Sequence, residues 1–184
     1  IKIPLDASSF SFFAAFLAMH GLEVERTLGP EDPHPDWLFC EDLRRLLTAE
    51  PHAELVFREI HQRPDTFPCL VTMAAMRCGT TRILGVPSLR HKESDRIGAM
   101  AAAMETLGVQ CQEFPDGIEV TGPVKAHEVP VSLPCPDDHR VVMALALLGT
   151  RLPGGVELAN PSAVEKSWPG YFDWLSRVSS VQTL

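Results

Sequence analysis

The sequence has little of what marks membrane, secreted or metal-binding proteins. No apolar run approaches the roughly 18 residues of a membrane-spanning helix, and its start shows no secretory signal pattern. Five cysteines are widely spaced, with no CxxC pair, which disfavours a zinc site and a disulfide framework. We therefore expect a reducing, cytoplasmic location, no membrane partner and no bound metal.

Basic residues are also scarce. The chain has 16 Lys and Arg against 24 Asp and Glu, a net charge of −8, and its basic blocks are only a few residues long. Nucleic acid is therefore not an expected partner. The remaining composition is that of a globular protein, and we expect residues 1–184 to form one domain. Because the chain starts at Ile1, we expect it to be part of a longer protein.

One sequence pattern occurs three times: a polar start with Asp, an apolar helix, a glycine, a β-branched strand and a second, amphipathic helix. Each first helix is apolar on nearly every side, which predicts that it is buried. The first copy starts at Asp6, its first helix ends at Gly21, and its strand and second helix are 22–24 and 42–47. The second copy starts at Asp65, its first helix ends at Gly79, and its strand and second helix are 80–84 and 94–107. The third copy starts at Asp137, its first helix ends at Gly149, and its strand and second helix are 156–158 and 169–178.

The middle copy continues into a predicted hairpin of strands 109–113 and 118–121, joined at a Pro-Asp-Gly turn. The pattern predicts an α/β (α+β) fold of three units around a pseudo-threefold axis, with buried helices and outer sheets. Residues 50–63 have no pattern that predicts a helix or a strand. In such a fold, equivalent helix starts can meet at one end of the domain.

The densest polar segment is 90–96, where six of seven side chains are ionisable. Apolar residues then recur at helical spacing up to Leu107, so the segment opens a helix. Backbone N–H groups there favour anions, and Lys92 and Arg96 add phosphate or carboxylate donors. Glu93 among these cations could transfer a proton. The alternative is a solvated helix start with surface ion pairs.

Other polar starts belong to the same predicted site. They are the segment 6–9, Asp65, the segment 138–140 and Lys166. Helix capping alone would explain Ser8 and Ser9. It does not explain His139 and Arg140, which add a titratable group and a fixed cation.

Four segments, in order, resemble the EPSP synthase family of enolpyruvyl transferases. Residues 89–97 resemble its Arg-x-Lys-Glu-(Ser/Thr)-Asp-Arg signature, and Asp138-His139-Arg140 resembles its Asp-His-Arg motif. The segments 165–172 and 3–9 resemble its Lys-(Ser/Thr)-Phe-Pro and Pro-Gly-Asp-x-Ser-Ser motifs. The resemblance implies two similar domains, each of three βαβαββ units, of which this chain covers the C-terminal one.

The resemblance also implies an activity and its site. The family transfers the enolpyruvyl group of phosphoenolpyruvate to the 5-hydroxyl of shikimate 3-phosphate, and its second domain completes the site. No cofactor is implied. The resemblance implies that Asp65 is the proton acceptor and Glu93 the proton donor. It implies that Lys92 is a ligand of shikimate 3-phosphate. The implied ligands of phosphoenolpyruvate are Arg96, Arg140 and Lys166, with His139 beside them.

The sequence departs from the family at three places. Leu5 replaces a usual Gly, Ser88 replaces an Asn that commonly contacts substrate, and the segment 47–65 is short for a hairpin plus a strand. Two alternatives stay open: a UDP-N-acetylglucosamine enolpyruvyl transferase, which the two signature motifs disfavour, and a non-catalytic anion-binding protein. Because the second domain is missing, we expect the chain alone to have little or no turnover.

Overall fold

The computed structural model describes residues 6–23 and 34–179. Helices and strands follow one another in these ranges: α1 Ala7–Met19, α2 Phe39–Thr48, β1 Leu55–Phe57, α3 Phe67–Met76, β2 Gly79–Ile83, α4 Arg96–Thr106, β3 Gln110–Phe114, β4 Gly117–Gly122, β5 Val131–Leu133, α5 His139–Gly149, β6 Val156–Leu158 and α6 Tyr171–Val178. None of these helices has the length and apolar character to cross a membrane.

The three apolar helices α1, α3 and α5 pack against one another at the centre of the molecule. In α3, every residue from Phe67 to Ala75 is buried. A helix without a polar face is stable in water only when other elements surround it, because its apolar side chains must leave water on every side. This confirms the predicted burial of the first helix in each copy.

The strands form two sheets outside this centre. One has the order β1-β2-β4-β3, with β1 parallel to β2 and the other pairs antiparallel, and the second pairs β5 with β6 in parallel. The middle copy is therefore a complete βαβαββ unit, from β1 through α3, β2, α4 and β3 to β4. The antiparallel pair β3 and β4 confirms the hairpin predicted for this copy. The third copy contributes β5, α5, β6 and α6.

Some predicted elements differ from the structure. Leu22 and Glu23 have no strand structure, and Val24 and the segment 3–5 lie outside the described residues. The unassigned segment 50–63 contains the short strand β1, which pairs with β2.

The predicted start of the middle copy's second helix was also wrong. Helix α4 begins at Arg96 rather than Ser94, because Asp95 is its N-cap and accepts a 3.0 Å hydrogen bond from the backbone N–H of Gly98.

Candidate active site

Several helix starts meet at one end of the molecule, as the repeat predicted. Asp65 lies in the 3₁₀ helix Pro64–Thr66 directly before α3. Arg96 is the first residue of α4, and Asp138 is the N-cap of α5. Lys166 ends the 3₁₀ helix Pro161–Lys166 that packs on α5. Residues far apart in sequence therefore form one polar cluster.

Arg96 is at the centre of this cluster. It is 2% exposed and donates from Nε to Oδ2 of Asp138 at 2.8 Å and from Nη2 to Oδ1 at 3.3 Å. Its Nη1 donates to Oδ1 of Asp65 at 2.8 Å. A buried guanidinium is tolerated only when carboxylates and hydrogen bonds compensate it. These contacts therefore fix α4, α5 and the turn before α3 relative to one another.

Asp65 lies between two arginines. Its second oxygen, Oδ2, is 2.9 Å from Nη2 of Arg140. Burial acts to raise the pKa of Asp65, but the charges and hydrogen bonds of Arg140 and Arg96 outweigh it and hold the pKa below its ordinary value. The carboxyl is therefore ionised at neutral pH. An ionised, half-buried carboxylate can accept a hydrogen bond or a proton from a hydroxyl group.

Asp138 is completely buried and has three kinds of partner. Besides Arg96, it accepts from the Ser94 hydroxyl at 3.0 Å and from the backbone N–H of Arg140 at 3.0 Å. Burial acts to raise its pKa, but the hydrogen bond and charge of Arg96 outweigh this and lower it. Asp138 thus caps α5 and orients Arg96 with one carboxylate.

Glu93 lies on the open side of the cluster, and its side chain is 38% exposed. Its Oε2 is 3.0 Å from Nδ1 of His139 and 3.7 Å from Nζ of Lys166. His139 is almost fully buried, whereas Lys166 is about half exposed. A carboxyl in contact with an imidazole and facing the surface has the geometry for proton transfer to a bound molecule.

Two predicted residues lie at the edge of the cluster. Lys92 is exposed, and its charge also acts to lower the pKa of Asp65. Ser88 is exposed in the 3₁₀ helix Pro87–His91. Among the described residues, no hydrogen bond links Ser88 to the cluster. The structure thus brings six predicted residues into direct contact with other members of the cluster: Asp65, Glu93, Arg96, His139, Arg140 and Lys166.

Asp138 was part of the predicted site but was given no role of its own, although its position before an apolar helix was a capping signal. One further residue, Asp36, was not predicted. Asp36 had no signal in the sequence. It is 2% exposed, its Oδ2 accepts from the Ser8 hydroxyl, and no hydrogen-bond donor from the described residues reaches its Oδ1. Burial raises the pKa of Asp36, and the Asp65 charge acts in the same direction.

A metal ion does not fit this cluster well. Glu93, Asp138 and His139 place possible ligand atoms within 4.8 Å of one another. However, Arg96 donates to both oxygens of Asp138, and Lys166 lies beside Glu93. A cation would compete with these positive groups. The arginines and lysines instead suit an anionic molecule, and Asp65 and Glu93 suit proton transfer with it.

Comparisons with known proteins identify the family of the chain. The model of the family EPSP synthase (3-phosphoshikimate 1-carboxyvinyltransferase) matches residues 40–175. A 3-phosphoshikimate 1-carboxyvinyltransferase of Syntrophobacter fumaroxidans is 32% identical over 191 residues, which cover 97% of this chain and 45% of the relative. The pentafunctional AROM polypeptide of Yarrowia lipolytica is 34% identical over 97% of this chain and 12% of its own length.

A solved structure gives the same result for the fold. EPSP synthase from Acinetobacter baumannii superposes with a TM-score of 0.78 and 26% identity, over 97% of this chain and 47% of that protein. The chain thus spans about half the length of the single-function relatives that it matches. With its βαβαββ unit and the family model matching most of its length, the chain belongs to the EPSP synthase family.

Proposed function

We propose that this chain is the C-terminal domain of a 3-phosphoshikimate 1-carboxyvinyltransferase. This enzyme moves the enolpyruvyl group of phosphoenolpyruvate to the 5-hydroxyl of shikimate 3-phosphate and releases phosphate. The observation that supports this most is the pair of different carboxyls. Asp65 lies between Arg96 and Arg140, while Glu93 contacts His139 on the open side.

The two carboxyls suit the two proton movements of the transfer. The 5-hydroxyl must lose a proton as its oxygen bonds to the central carbon of phosphoenolpyruvate, and the methylene carbon must gain one. Asp65 is ionised at neutral pH, as a proton acceptor must be. Glu93 is the proposed donor, and the contact with His139 gives it a neighbour with which to exchange a proton. The bond from the central carbon to the phosphate oxygen then breaks, and the methyl group formed by the first proton transfer returns a proton to the ionised Glu93, which restores the carbon–carbon double bond.

The cations suit the two anionic substrates. Arg140 and Lys166 lie beside the carboxyls and, with Arg96, are the proposed ligands of phosphoenolpyruvate. Lys92 is exposed and is the proposed ligand of the phosphate of shikimate 3-phosphate. Arginine binds carboxylate and phosphate groups with two parallel hydrogen bonds, whereas lysine acts as a point charge.

The exposure of Glu93, Lys92 and Lys166 supports a site completed by another domain. Active sites are usually enclosed clefts, and closure of two domains removes water from them. The relatives carry about as much chain again beyond the matched part. We therefore propose that the missing half supplies the other side of the cleft, and that this chain alone turns over little or no substrate.

The test is a steady-state assay of phosphate release with both substrates. It compares the isolated chain with the chain joined to the N-terminal half of the Syntrophobacter fumaroxidans relative. We expect turnover only from the joined protein. Rapid phosphate release by the isolated chain would overturn the proposed need for a second half. UDP-N-acetylglucosamine is the control acceptor, and preferential turnover of that acceptor would overturn the proposed substrate.

A further inference from the structure

The turn between β3 and β4 supports the loop that contains Lys92 and Glu93. This loop, residues 84–95, connects β2 to α4, and we call it the site loop. At its beginning, the backbone N–H of Gly85 donates to Oδ2 of Asp116 at 3.0 Å, and the N–H of Val86 donates to the backbone oxygen of Asp116 at 2.9 Å. Asp116 thus fastens the first residues of the loop to the turn.

The close approach of the turn requires a glycine. A Cβ atom at Gly117 would lie 2.0 Å from the backbone oxygen of Ile83, the last residue of β2. No side chain fits at this distance. The turn is therefore built to lie directly against the start of the site loop.

Arg90 makes the second connection between the loop and the turn. Its guanidinium donates to the backbone oxygens of Phe114 and Pro115 and to the carboxylate of Glu113. It also donates to Oδ2 of Asp95 at 2.9 Å. Its side chain is only 20% exposed. The rigid guanidinium fork thus joins the turn to the N-cap of α4 across the loop.

The part of the loop that follows Arg90 has little support of its own. Residues 92–94 form no helix or strand, and within the described chain they make no backbone hydrogen bond to another backbone group. Segments with few backbone hydrogen bonds open at low free-energy cost. The side chains of Arg90 and Asp95 therefore anchor the stretch that presents Lys92 and Glu93.

We propose that Arg90 is a positioning residue, which fixes the site loop to the β3–β4 turn and so keeps Glu93 within reach of His139. Arg90 belongs to the signature segment, yet the resemblance gives it no role. An ordinary surface ion pair contributes little to stability. Arg90 differs from one because two of its four acceptors are backbone oxygens of the turn. The catalytic consequence rests on the proposed function, whereas the fixing of the loop does not.

The first test uses the isolated chain and measures amide hydrogen exchange at Leu89 and Gly98, whose N–H groups donate to Val86 and Asp95 on either side of the stretch 92–94. We expect Arg90→Gln to speed this exchange about tenfold, because the loop then opens locally. Arg90→Lys keeps the charge but loses the fork, and we expect an intermediate rate. The matched control is Arg82→Gln, which removes ion pairs to Glu54 and Glu119 on the same sheet. Equal exchange in Arg90→Gln and Arg82→Gln would overturn the proposal.

The second test separates positioning from substrate binding. In the joined protein, we expect Arg90→Gln to lower kcat about tenfold with a smaller change in KM, as when a proton donor is misplaced. An unchanged kcat would overturn the catalytic consequence. If no variant, including the unmodified protein, turned over substrate, the proposed function would fail while the exchange result still decided the role of Arg90. Glu113→Ala removes a single contact of Arg90, so it keeps the test possible should Arg90→Gln not fold.

Discussion

Arg96 donates two hydrogen bonds to Asp138, from Nε to Oδ2 at 2.8 Å and from Nη2 to Oδ1 at 3.3 Å. This pair joins the first residue of α4 to the N-cap of α5. Both side chains are almost completely buried. The candidate site is therefore continuous with the core, and changes in one are expected to affect the other.

We expect Arg96→Ala to destabilise the isolated chain by about 3–5 kcal/mol, because it leaves the carboxylate of Asp138 buried without its charge partner. Urea denaturation at pH 7 measures this loss. The control is Arg82→Ala, which removes ion pairs of a half-exposed side chain on the sheet and should cost much less. Equal losses in the free energy of unfolding would show that the buried pair stabilises the chain no more than the ion pairs of Arg82.

The lowered pKa of Asp65 predicts how its contribution to stability changes with pH. Burial acts to raise this pKa, but Arg140 and Arg96 hold it below that of the unfolded chain, about 3.9. The stabilisation is therefore fully present above the unfolded pKa and is lost as the pH falls through the folded one. We expect the free-energy difference between the unmodified chain and Asp65→Asn to shrink between pH 5 and pH 2. A constant difference would contradict this.

The contribution of Asp36 to stability is expected to change with pH in the opposite direction to that of Asp65. Burial raises the pKa of Asp36 in the folded chain, so its contribution to stability is fully present below the unfolded pKa and is lost as the pH rises through the folded one. Asn cannot ionise and can still accept the hydrogen bond of Ser8. We expect Asp36→Asn to gain stability relative to the unmodified chain between pH 4 and pH 8. The exposed Asp173→Asn is the control, and a relative loss for Asp36→Asn would show that Asp36 is needed as an anion.

Much of the fold followed from local patterns. The helices α1, α3 and α5 were predictable because a helix without a polar face has to be buried. The meeting of Asp65, Arg96 and Arg140 followed from the threefold repeat, which makes distant helix starts equivalent. Strand β1 was not predictable, because its three residues have no pattern of their own and depend on pairing with β2.

The details of the site depend on contacts between distant residues. Asp36 accepts a hydrogen bond from Ser8, which lies 28 positions earlier, and Asp138 pairs with Arg96, which lies 42 positions earlier. Separations of this length follow no helical or strand periodicity, so the sequence does not predict either pairing. The resemblance supplied roles for single residues, whereas the structure shows that Arg96 and Arg140 bind the same carboxylate, Asp65.

The proposed role of Glu93 predicts a split between turnover and binding. Glu93→Gln keeps the size of the side chain and its ability to contact His139, but it removes the proton that the transfer requires. In the joined protein, we expect kcat to fall by about 10²–10⁴, the usual contribution of a general acid or base. The KM for phosphoenolpyruvate should change far less, because the proposed ligands Arg96, Arg140 and Lys166 remain.

A matched variant makes this test decisive. Glu105→Gln is the same chemical change on the exposed side of α4, outside the cluster, and it should leave both kcat and KM unchanged. If Glu93→Gln instead weakened binding as much as it lowered turnover, Glu93 would act by holding Lys166 and His139 in place. A large fall in kcat alone, absent from Glu105→Gln, ties the proton transfer to Glu93, which contacts the imidazole of His139 on the open side of the site.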